Sequence, residues 1–192
     1  MVFLRKAALR PVPAWAVVDE VALEGLEVSL GEADEDLQRA LDNGYREMDR
    51  LQPALAEWLA AQVSSRSDEL AQSVGYFLVV TVYMAFREAF PTRLDAVDLA
   101  ALTLALETLE VDEQLRANDP TEVFESDDVV AMGQPPLLTF VQHHFDEALA
   151  QADGSPDLEA FDIVYRAILV EVIALSHAVR APGGTAQAPV LA

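Results

Sequence analysis

Two stretches of this chain are apolar on nearly every side. They are "GYFLVVTVYMAF", residues 75–86, and "FDIVYRAILVEVIALSHAV", residues 161–179. A helix of that kind cannot lie on a wet surface; it belongs at the centre of a bundle or in a subunit interface. The pair therefore predicts an all-α protein, an irregular bundle of about five long helices built around these two. A homodimer is a second way of covering them. The first stretch also carries the β-branched run of a buried strand, and periodicity does not separate the two readings. A cap at Ser67 and the ending "REAF" make it one continuous element and favour helix. Its unbroken apolar length is too short to span a bilayer, so no membrane is expected.

Start and stop signals place the other helices. "SLGE", Ser29 to Glu32, reads as a capping box, with Asp34, Glu35 and Asp36 in the first turns where the dipole favours acids. Leu37, Leu41, Met48 and Leu51 continue that helix until Pro53 kinks or restarts it. Pro91 ends the element that Ser67 opens, and Asp95 is the expected cap of the next helix, through Ala117. Asp119-Pro120 opens a short one, and "MGQPP" precedes a helix from about Pro136 to Ala152. Ser155 then caps the last, which runs to about Arg180. The organisation expected is an N-terminal arm over 1–30, partly extended, a bundle domain over 31–181 and a disordered tail over 182–192. Within the arm, residues 14–30 are either a hairpin turning at Glu24-Gly25 or irregular.

Charge excludes several functions. The 192 residues hold 33 acids against 12 basic groups, a net charge of −21. Arg5, Lys6 and Arg10 stand in the first ten residues with no acid, so the remaining 9 basic groups against 33 acids leave −24 on the body. Such a body repels phosphate backbones and anionic lipid, which argues against direct nucleic-acid binding and favours a basic protein partner. The plainer reading is that the acid keeps a chain with 52% hydrophobic residues in solution. There is no cysteine, hence no disulfide, thiolate metal site or thiol nucleophile, which fits a reducing cytoplasm. A single lysine among the basic residues and abundant alanine suggest a GC-rich, bacterial coding sequence.

The chemistry-bearing residues are few. "VQHHFDEALAQ" sets His143 and His144 ahead of Asp146 and Glu147, which invites a metal reading. On a helical wheel His143 lies opposite the core stripe of Leu137, Leu138, Val141 and Phe145, whereas His144 lies at its edge beside Glu147. The rings diverge, and no Glu-x-x-His pair occurs to build a dimetal bundle, so no metal and no cofactor are expected. His177 stands where the helix dipole favours it and is a weak haem signal. Ser64, Ser65, Ser67 and Ser73 lie near a helix start, where capping accounts for them. Glu171 is the acid that stands out, beside Val164, Ile168 and Leu175, where it needs a raised pKa or an arginine or tyrosine partner.

No residue earns a catalytic assignment. The leading expectation is a non-enzymatic, acidic regulatory or interaction module with a basic protein partner, such as an immunity or inhibitor protein or a scaffold subunit. Its candidate binding residues are Glu122, Val123, Phe124, Glu125, Asp127 and Asp128, an aromatic anchor with an acidic rim. The alternative is a bundle that encloses a small apolar ligand or cofactor, with Tyr76, Tyr83, His144, Tyr165 and Glu171 as its polar groups.

Overall fold

The computed structural model describes residues 12–32, 36–64, 68–117, 133–152 and 156–183. They are all-helical, with no strand among them. After a 3-10 turn at Ala14–Ala16 come α1 (Glu20–Glu32), α2 (Leu37–Leu51), α3 (Pro53–Ser64), α4 (Glu69–Ala89), α5 (Leu99–Ala117), α6 (Pro135–Gln151) and α7 (Leu158–Ala178). Among the described residues there are seven helices where about five long ones were expected, for two local reasons. Pro53, with no N–H to give, starts a new helix one residue after α2 ends. The stretch expected as a hairpin or irregular arm is α1, which runs through Ser29, so the capping box there is not a helix start.

Two other starts shift by a few residues. Asp98, not Asp95, caps α5, accepting from the Ala101 N–H at 2.7 Å. Asp157 caps α7, accepting from Glu159 and Ala160 at 3.1 Å. Ser67, Ser155, the 119–128 segment and the tail from 184 lie outside the described residues.

The two all-round apolar stretches are α4 and α7, both 21 residues long and both at the centre. Asp68 ties their starts together. One carboxylate oxygen caps α4 at the Ala71 N–H (2.9 Å), and the other accepts from the Asp157 N–H at the head of α7 (3.2 Å). These backbone donors hold the Asp68 carboxyl below its ordinary pKa. The far ends also meet: Leu94 bridges Val179, Asp95 N–H donates to the Ala178 carbonyl (3.0 Å), and Arg180 N–H donates to that of Arg93 (2.8 Å). The central pair is therefore parallel. In the first third of α4, Gly75 faces α7 and α3, where a Cβ would lie 2.8 Å from Val164 Cγ1 and 3.1 Å from Val63 Cγ1.

The remaining helices wrap this pair. α1, α2 and α3 pack on α4, and α3 also reaches α7. α5 runs antiparallel to α7, leaving from its C-terminal end and pairing back through Arg166 and Glu113 (2.6 Å). α6 is antiparallel to α7 too, with Gln134 at Ser176 and Phe145 at Phe161. By length and composition α4 is long and apolar enough to cross a membrane, more than its unbroken apolar run suggested. Its place in the core accounts for that composition: Leu78, Val79, Val80, Val82, Tyr83 and Phe86 are all buried.

Candidate interaction site

Between α6 and α7, at the end away from Gln134, the helices are spaced by aromatic rings. Phe145 meets Phe161 edge-on at 6.0 Å and Tyr165 at 5.4 Å. Outside these rings lies an open groove of about 440 Å³, continued by Leu149 and Leu158 and flanked by Gln142, Asp146 and Asp162. Leu158 stands at its mouth with 67% of its surface exposed, although it is a large apolar side chain. The local cause is the start of α7. Asp157 caps the helix, so the next residue begins it before the buried face is reached, and that face opens only at Ala160 and Phe161.

The rim is acidic and exposed. Asp146 has no cationic partner among the described residues. Asp162 feels Arg166, but that guanidinium is already held by Glu113 at 2.6 and 2.8 Å, and the bond raises its pKa. An apolar trough with carboxylates along its edge suits a ligand that is itself apolar in the middle and cationic at the sides.

The five residues expected to line a common ligand pocket are not brought together. Tyr165 borders the groove just described. Tyr76 lies on another cleft, of about 310 Å³, with Tyr45, Leu59 and Val63. Its hydroxyl donates to Asp42 (3.0 Å), and burial with that carboxylate pushes its pKa up to about 12. Tyr83 is buried beside Arg87, and among the described residues its hydroxyl has no hydrogen-bond partner of good geometry. Its neighbours Arg87 and Glu47 are engaged with each other at 3.0 Å, and burial raises its pKa to about 12.

His144 is packed between Phe140 (4.4 Å) and Phe77 (5.1 Å), and its Nδ1 donates to the Phe140 carbonyl at 2.9 Å. The expected partner, Glu147, turns instead to His143 at 3.6 Å. The carbonyl four residues back is within reach of a ring that leans toward the helix start, as helical side chains do. Among the described residues no three histidines and carboxylates gather into a metal-sized cluster. Ser64 and Ser73 donate back to the carbonyls of Ala60 and Glu69, so they bond within helices and are not caps.

Glu171 is fully buried, and among the described residues neither carboxylate oxygen has a hydrogen-bond partner. Of the two expected alternatives, a raised pKa or an arginine or tyrosine partner, the first holds: burial raises its pKa well above the ordinary value. Two buried glutamines went unnoticed in the sequence. Gln134 donates to the Ala16 carbonyl (2.6 Å) and Ser176 Oγ (2.9 Å) and accepts from the Val18 N–H (2.9 Å). Gln52 donates to the Asp95 carbonyl (2.8 Å) and accepts from the Val97 N–H (2.6 Å). Each amide satisfies backbone groups of a loop that no helix or strand serves. Their signal was faint: Gln134 is an amide between a glycine and two prolines, and Gln52 directly precedes one.

The candidate anchor residues Glu122, Val123, Phe124, Glu125, Asp127 and Asp128 lie outside the described residues. The same chemistry occurs at a described place, the α6–α7 groove. No protein-family model matches the chain, and no curated protein and no solved structure matches it significantly.

Proposed function

We propose that this is a non-enzymatic, cytoplasmic interaction module that binds a basic protein partner, taking an amphipathic segment of it in the α6–α7 groove. The observation that carries the reading is the coincidence at one place of the exposed Leu158, a groove floored by Phe145, Phe161 and Tyr165, and the exposed carboxylates of Asp146 and Asp162, on a chain of net charge −21. Apolar and aromatic contacts supply affinity at the centre of an interface, whereas charges at its rim steer the partner and set its register. Immunity, inhibitor and scaffold roles all share this physical core.

The test is a titration of the isotope-labelled protein with a short amphipathic peptide of leucine and arginine, followed by NMR. Shifts centred on Phe145, Leu149, Phe161 and Tyr165 are expected, and weaker binding by Leu158→Glu and by Asp146→Lys. Both positions are exposed, so neither change should disturb the core. Shifts spread over the whole acidic surface, equal in all three proteins, contradict the reading.

A second reading, a bundle that binds a small apolar ligand, draws its support from the cleft beside Tyr76. Native mass spectrometry of the purified protein decides for it if a small molecule is retained and is lost in Ala60→Trp, which fills the cleft.

A further inference from the structure

We infer that the groove's resident occupant is this chain's own N-terminal segment, residues 1–11, a tethered basic ligand that a partner must displace. The inference rests on the reading of the groove as a site for basic, amphipathic segments, and concerns what holds it when no partner is bound. Three observations carry it. The segment "MVFLRKAALRP" has the chemistry the groove asks for: Val2, Phe3 and Leu4 are apolar, Arg5, Lys6 and Arg10 are basic, and no acid stands among them. The body it would dock on holds the remaining 9 basic groups against 33 acids.

The residue to which the segment is joined, Val12, lies at the head of α6. Val12 sits so closely on Gly133 that a Cβ there would overlap Val12 Cγ2. From Val12 the chain turns inward to the Ala14–Ala16 turn, where Trp15 donates to the Val179 carbonyl at 3.1 Å. Val12, the first described residue, therefore stands at the head of α6.

The distance can be covered. From Gly133 to Phe145 is a run of about 18 Å along the helix at 1.5 Å per residue. The chain from Leu4 to Val12 spans up to about 28 Å when extended. Phe3 and Leu4 can then reach Phe145, Leu149 and Leu158, with Arg5 and Lys6 toward Asp146 and Asp162. A tether this short gives a high effective concentration, so modest contacts suffice to fill the groove.

The chain has no cysteine, so Val2→Cys carries a nitroxide at one position of the full-length protein. At low salt the label should broaden the amide signals of Phe145, Leu149 and Phe161. The broadening should be lost on adding Arg5→Glu, Lys6→Glu and Arg10→Glu together, and reduced at high salt. That charge-reversed protein should also bind the leucine–arginine peptide several-fold more tightly than the native chain does. Broadening at another surface, or none, overturns the inference. If the peptide nevertheless binds the groove of the charge-reversed protein, the proposed function stands without its tethered ligand. If the peptide too misses the groove, both fall.

Discussion

A carboxyl without a partner is costly to bury, and Glu171 is held neutral by that burial. Below its unfolded value of 4.5 the group is protonated in both states. Above it the unfolded chain releases the proton while the folded chain keeps it. Stability is therefore full at low pH and is lost as pH rises toward the raised folded value, by up to about 1.4 kcal/mol per pH unit. Glu171→Gln should remove this slope. As pH rises above 4.5 the native chain should lose more stability than the variant in urea unfolding. Equal losses would mean that Glu171 is ionised and paired. The site was legible because Val164, Ile168 and Leu175 surround it on its own helix. Its lack of a partner was not legible, since partners come from other helices. His144 shows the same limit, finding the carbonyl of Phe140 where the wheel offered Glu147.

Elements were legible where one face differed from the other, and where proline or an acidic cap set a boundary. α1 was missed because its apolar residues point both ways. Ala22, Leu23, Leu26 and Leu30 are buried, but Val21 is 74% and Val28 60% exposed, which erases the helical period. α4 and α7 were found for the opposite reason, since a core position demands no polar face. That they run parallel was not legible, because it depends on Asp68 reaching Asp157 from 89 residues away. At Gly75 α4 lies close against Val164 of α7 and Val63 of α3. Alanine there gains about 1 kcal/mol of helix propensity over glycine but forces the Val164 and Val63 methyls apart. We expect a net loss of about 1–2 kcal/mol, read as a lower urea midpoint with unchanged slope. A more stable Gly75→Ala protein would show that α4 and α7 are not pressed together there.

At the scale of the whole molecule the sequence already carried the charge and the all-α class, but not the place where charge meets apolar surface. That place arises where two consecutive helices meet, α6 with its aromatic face and α7 with an exposed first turn. The composition alone allowed the acid to be no more than a solubilising coat. We propose instead that the acid draws a basic partner toward the α6–α7 groove. Exposed charges act over a Debye length of about 10 Å at 0.1 M salt, so a steered encounter slows as salt is added. The most direct measurement is the association rate of the leucine–arginine peptide with the charge-reversed protein, from about 50 mM to about 500 mM sodium chloride. The account predicts a fall of roughly tenfold or more, with a smaller fall in Asp146→Lys. A rate that stays flat across that range, in both proteins, would contradict it.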